Sequence, residues 1–212
     1  MDISEHIRSS ARLGVAIAAL IAGLPVALPP AASAQTVRLA AYAPSGIPTL
    51  ATREPRQVGS AEQLSKWRAV APSLADLVGT PVDRDVSLDT VRAVNRDVNA
   101  VPYVSDPERW GVADRWLTPT EFRATGGDCE DYAIAKLVEL RRLGVPATHL
   151  RLVVGYHRDR RAYHAVLEVQ VDDTWRVLDM GEDALLTRQQ ATYFEPIYAI
   201  HDGALWSYVP PS

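Results

Sequence analysis

The spacing of apolar positions changes period near residue 145, dividing the chain into a helical half and a strand half. Leu64, Trp67, Leu74 and Leu77 recur at helical intervals over 60–78, with a break expected near Pro72, because proline removes a helical hydrogen bond. Ser87 is placed to cap a second helix carrying the stripe Leu88, Val91, Val94 and Val98. Asn95 and Asn99, four apart, share a face beside that stripe. Thr118-Pro119-Thr120-Glu121 joins a capping box to a proline at the first helical position, predicting a short helix that stops at Gly126-Gly127. A further helix opens at Cys129 and runs to Leu143, with Gly144 at its C-terminal cap and Pro146 barring continuation.

Beyond that point alternation takes over. Leu150–Tyr156, Ala165–Val171 and Thr174–Leu178 read as strands, the last two separated by Asp172-Asp173. Helices first and antiparallel strands afterwards predict an α+β class, with N-terminal helices packed on an antiparallel sheet. If Asp172-Asp173 is a two-residue turn, Val171 faces Thr174, Leu167 faces Leu178 and Val166 faces Asp179. His164 shares the face of Val166, so Asp179 becomes its diagonal neighbour, within side-chain reach. Ala165, Leu167, Val169 and Val171 make the opposite, core-facing side. A slip of one residue would reverse these faces.

The N-terminus reads as an address. Arg8 and Arg12 precede an apolar run from Leu13 to Leu28, and Ala32-Ser33-Ala34 offers a small-residue cleavage site. The run is shorter than the roughly 20 residues a membrane span needs, and Pro25 interrupts it. Residues 1–34 are therefore expected to be a secretory signal peptide, 35–59 a loosely ordered arm and 60–212 one globular domain, located in the periplasm. No later stretch is apolar enough to span a membrane, so no stable membrane insertion is expected after cleavage. A net charge of −4 argues against nucleic acid as a partner. The single cysteine forms no internal disulfide, and a free thiol in an oxidising compartment is either reactive or buried and inert.

What surrounds Cys129 favours reactivity. It follows Gly126-Gly127-Asp128 and opens a helix, where unpaired N–H groups and the macrodipole favour a negative sulfur, while the glycines let backbone approach a substrate. His164 is the candidate base and Asp179 the group that orients it. His157 lies among Arg158, Asp159, Arg160 and Arg161 in an expected exposed loop; His149 and His201 lack a matching partner. Asp128, Glu130 and Asp131 complicate the picture, because like charges disfavour a thiolate. They are either ordinary first-turn acids or ligands of a hard cation such as calcium, for which three residues are too few to complete a shell. Trp110 and Trp116 wall the cleft or belong to the core.

The run Gly126-Gly127-Asp128-Cys129-Glu130-Asp131-Tyr132-Ala133-Ile134-Ala135-Lys136 resembles the nucleophile segment of the bacterial transglutaminase-like cysteine proteinases. Val94-Asn95, Val98-Asn99, Trp110-Gly111, Asp114, Trp116, Thr118-Pro119 and Glu121 extend the resemblance upstream. Leu150-Arg151, His164-Ala165-Val166-Leu167 and Leu178-Asp179 extend it downstream, over about residues 87–200. The resemblance implies a papain-like, transglutaminase-type fold, a Cys129–His164–Asp179 triad and a calcium requirement, with Asp128, Glu130 and Asp131 as ligands or near-ligands. It further implies cleavage of a large surface adhesin near a pair of alanines, sequestration by an inner-membrane cyclic di-GMP receptor, and control of biofilm attachment. The chain departs from the pattern at Met180, where the family often has asparagine, and in the tail from Ala191 onward. The expectation is a calcium-dependent periplasmic cysteine endopeptidase. A transglutaminase using the same triad and a non-catalytic calcium-binding module are the alternatives.

Overall fold

A computed structural model describes residues 49–78 and 84–209 of the chain; the expected signal peptide, and residues 35–48 of the expected arm, lie outside them. A short strand β1 (Arg56–Ser60) leads into α1 (Ser65–Val78), followed by α2 (Leu88–Asn99), α3 (Asp106–Trp110), α4 (Pro119–Thr125) and α5 (Cys129–Arg142). Six strands complete the chain: β2 (Leu150–His157), β3 (Ala162–Val171), β4 (Thr174–Asp179), β5 (Glu182–Thr187), β6 (Phe194–His201) and β7 (Ala204–Ser207). They form a seven-stranded antiparallel sheet in the order β1-β7-β6-β2-β3-β4-β5. This is the α+β arrangement the sequence predicts. Among the described residues, no helix is long and apolar enough to cross a membrane.

The capping signals act where expected. Ser87 Oγ accepts the Thr90 N–H at 3.2 Å, and Glu121 Oε2 accepts the Thr118 N–H at 2.9 Å, each satisfying a donor that the first helical turn leaves open. The hairpin register also follows the sequence: Val171 pairs with Thr174 and Leu167 with Leu178, while Asp172 and Asp173 take positive φ values of 49° and 57°. Both turn residues left-handed is the geometry that matches strand twist, and aspartate tolerates it better than most residues.

Three expectations are corrected. α1 runs through Pro72 without ending there; Pro72 faces solvent, so the hydrogen bond it forfeits is lost on the wet side. Residues 56–59 are not a loose arm but part of β1, which pairs with β7, and Leu50 is buried. The face of β3 bearing Val166 is not open: Val153, Val166, Val177, Phe194, Ala199 and Tyr208 form a second apolar layer there. The main core lies on the other face, where Ala133, Ile134 and Val138 of α5 pack against Leu152, Ala165, Leu167 and Val169. Burying each large aliphatic side chain contributes about 1.5–3 kcal/mol, which seats α5 across the central strands.

Burial on both faces makes the few internal charges consequential. Glu168, fully buried on β3, receives Arg188 through two hydrogen bonds of 2.6 and 3.0 Å, and Arg188 also reaches Glu54 at 3.1 Å. Arg188→Met leaves that carboxylate unpaired, and should cost about 3–5 kcal/mol in urea unfolding; a loss below 1 kcal/mol would show Glu168 to be compensated elsewhere.

Lys136 of α5 is likewise buried and donates to the Asp179 backbone oxygen at 3.0 Å. Burial pushes its ammonium down to about 7, against the opposing pull of Asp179 and Asp183. The folded protein therefore holds fewer protons than the unfolded chain between about pH 7 and the ordinary lysine value of 10.5, and stability rises with pH across that window. Urea unfolding at pH 7.5 and 9.5 should show the wild type gaining roughly 2 kcal/mol relative to Lys136→Met. Parallel behaviour of the two proteins would contradict a depressed Lys136.

Candidate active site

Cys129 is the first residue of α5, and its placement depends on the turn before it. Gly126 has φ +73°, and a Cβ there would lie 2.5 Å from the Pro102 carbonyl oxygen. A Cβ on Gly127 would lie 2.2 Å from Asp131 Oδ2. The two glycines thus serve close internal approaches rather than the open substrate approach expected of them. Asp131 explains why the approach matters. Its Oδ1 accepts the Leu117 N–H at 2.8 Å and its Oδ2 the Asp128 N–H at 3.1 Å, so one buried carboxylate ties the start of α5 to the segment before α4.

His164 stands on β3 and Asp179 at the end of β4, as the hairpin register requires. His164 Nε2 lies 2.6 Å from Asp179 Oδ1, and both side chains are buried. Asp179 Oδ2 accepts the Tyr193 hydroxyl at 2.6 Å. These two hydrogen bonds, with the His164 and Lys136 charges, outweigh burial and hold the Asp179 carboxyl below its ordinary value. The backbone is clamped as well: Asn99 Nδ2 donates to the oxygens of Asp179 at 3.2 Å and Glu182 at 3.1 Å, and Asn95 Nδ2 to Glu182 O at 2.8 Å. The two asparagines on one face of α2 thus fix the β4–β5 turn that carries Asp179.

His157 belongs to this assembly, contrary to the exposed loop expected of it. It is buried at the end of β2, its ring stacked on Tyr193 with centroids 4.6 Å apart and edge-on to His164 at 5.5 Å. Burial, with the His164 and Arg160 charges adding, lowers its pKa. Tyr193 therefore braces both the carboxylate and the histidine layer. Nothing in the local sequence spacing marks it, because β6, which pairs directly with β2, is distant from it along the chain.

The electrostatics at Cys129 run against a thiolate. Its Sγ donates to Glu130 Oε2 at 3.2 Å, and burial, then the Glu130 and Asp128 charges, push the thiol well above its ordinary range. The Ala165 N–H acts in the opposite sense, which places the thiol against the residue after His164. Burial and a hydrogen bond shared with Asp128 push Glu130 up to about 9, and burial also pushes Asp131 up to about 7. The helix N-terminus alone does not offset this crowd of acids.

Two groupings of ligand atoms, each within 4.8 Å, meet at Glu130: Asp128 with Cys129 and Glu130, and Asp106 with Asp114 and Glu130. Of the three acids expected as ligands, Asp128 and Glu130 fall in these groupings; Asp131 does not, its oxygens being taken by backbone N–H groups. Asp106 and Asp114 stand in its place. Asp106 is only 1% exposed, and its Oδ1 and that of Asp128 have no hydrogen-bond partner. Partnerless buried carboxylate oxygens beside buried Glu130 form a donor set suited to a hard cation. Asp106 lies more than twenty residues from Cys129, and only the Ser-Asp-Pro start of α3 hints at it in the sequence.

The two tryptophans divide. Trp116 is buried in the main core, whereas Trp110 is half-buried with the Arg115 guanidinium 4.2 Å from its ring centroid. Tyr103, which the sequence does not single out, bridges to Gly127 and stays 56% exposed beside the thiol and its acids.

Residues 78–206 match the family described as bacterial transglutaminase-like cysteine proteinase, BTLCP. The fold is similar to that of Legionella pneumophila LapG, with a TM-score of 0.52 and 28% identity over 64% of this chain and 76% of that one. The calcium-bound form of Legionella pneumophila LapG gives a TM-score of 0.53 and 26% identity over 70% of this chain and 83% of that one. No curated protein matches the chain by sequence. With the family matched across most of the described domain and its cysteine at the head of α5, the chain belongs to the bacterial transglutaminase-like cysteine proteinases and is a cysteine peptidase.

Proposed function

We propose that this protein is a calcium-dependent periplasmic cysteine endopeptidase in which Cys129 is the nucleophile, His164 its base and Asp179 the orienting carboxylate. The observation that carries the reading is the 2.6 Å contact between His164 Nε2 and Asp179 Oδ1. With Nε2 engaged by the carboxylate, Nδ1 is the ring atom left to take the thiol proton. The sulfur then attacks the scissile carbonyl, and the Cys129 N–H at the helix start is a donor for the developing oxyanion. His164 returns the proton to the leaving amine, leaving a thioester that water hydrolyses with His164 again as base. Tyr193 and the Asn95–Asn99 clamp hold Asp179 throughout.

Asp106, Asp114, Asp128 and Glu130 are the residues that would hold calcium. Bound there, the ion would neutralise the carboxylate charge that raises the pKa of the Cys129 thiol. The family supports an extended segment of a large surface adhesin as substrate, cut near paired alanines, with exposed Tyr103 as a wall for it. An inner-membrane cyclic di-GMP receptor is the proposed partner, which would tie the cut to biofilm attachment.

The test is cleavage of adhesin N-terminal fragments by the purified protein. Cys129→Ala should abolish cutting, Asp179→Ala should lower kcat by roughly a hundredfold or more by freeing the imidazole, and a chelator should suppress activity until calcium is restored. Cutting by Cys129→Ala would overturn the mechanism, and amine incorporation without hydrolysis would establish a transglutaminase instead.

A further inference from the structure

Lys66 lies in the first turn of α1, away from the catalytic pair, and the peptidase mechanism makes no use of it. Its ammonium nevertheless forms an ion pair with Asp114, and Glu130, Asp106 and Asp128 all act on its charge. Those four acids are the donor set argued to hold the cation. Without an ion, four carboxylates gathered around two partnerless buried oxygens repel one another, and the nearby ammonium supplies part of the missing positive charge. Beside Lys66 a cavity of about 800 Å³ opens between α1 and the segment preceding α4, lined by Ala69, Ser73, Arg115 and Thr118 among others. A lysine is a compact charge on a flexible four-carbon stem, so this space gives the head group somewhere to go when it leaves Asp114.

We propose that Lys66 is a built-in counter-ion of the acid cluster, which a divalent cation must displace on binding. The inference rests on the calcium reading above and adds a competitor to it. A bound dication and the ammonium repel across one ligand set, so Lys66 weakens the site for calcium while stabilising the ion-free protein. Loading then exchanges one contact for another: α1 is tied to Asp114 through Lys66 in the absence of the ion and released from it in its presence. The protein thereby responds to calcium only above a threshold that Lys66 raises.

Calorimetric titration of calcium chloride into the purified wild type, Lys66→Met and Lys66→Arg at one pH and low salt tests this. Lys66→Met should bind calcium roughly tenfold more tightly than the wild type, and Lys66→Arg, which keeps the charge, should stay close to it. Thermal unfolding should agree: Lys66→Met should melt below the wild type in chelator, with the gap closing at saturating calcium. Equal or weaker calcium binding by Lys66→Met would overturn the role of Lys66 while leaving the calcium site standing. The absence of a calcium isotherm from all three proteins would instead overturn the site itself.

Discussion

A thiol buried among carboxylates is the constraint around which this structure is arranged. Cys129 shares the first turn of α5 with Glu130 and Asp131, follows Asp128, and donates to Glu130 at 3.2 Å. Each neighbouring negative charge, and burial itself, favours the protonated sulfur. A nucleophile in that position needs positive charge from elsewhere. On the proposed mechanism the imidazole of His164 and a cation held by the acids supply it, with the Lys66 ammonium offsetting part of the acids' charge. Asp131 is removed from the competition by giving both oxygens to backbone N–H groups. The remaining acids converge with Asp106 and Asp114 around Glu130.

The histidine side of the site depends on the sheet. β3 sits between β2 and β4, so His164 is held on a strand buried on both faces, and Asp179 is brought to it by a two-residue turn with no slack in its register. Tyr193, from the approach to β6, then holds Asp179 Oδ2, while Lys136 of α5 and Asn99 of α2 both donate to its backbone oxygen. Elements from both layers meet on one carboxylate.

Short-range chemistry made part of this legible in the sequence. The caps at Ser87 and Thr118, the start of α5 at Cys129 and the Asp172-Asp173 turn are decided by residues within four of one another, and the hairpin carries His164 to Asp179 by counting alone. What escaped depends on distant pairing. β1 is a strand because β7 lies beside it, not because of its own alternation, and β5 and β6 gain their identity from neighbours in the sheet. His157 looked exposed because four polar residues follow it, yet Tyr193 covers it from the turn that precedes β6. The convergence of Asp106 and Asp114 on Glu130 escaped for the same reason: spacing along the chain says nothing about acids that α3 and the segment after it bring to Glu130.

On the proposed reading, negative charge, not geometry, keeps Cys129 protonated until a cation arrives. Because Cys129 is the sole cysteine, the pH–rate profile of its alkylation by iodoacetamide reports directly on that thiol. Measured in chelator and again with saturating calcium, the rate should rise only at strongly alkaline pH in the first case and shift toward neutral pH in the second. Superimposable profiles, or a thiol already reactive at neutral pH in chelator, would contradict the account.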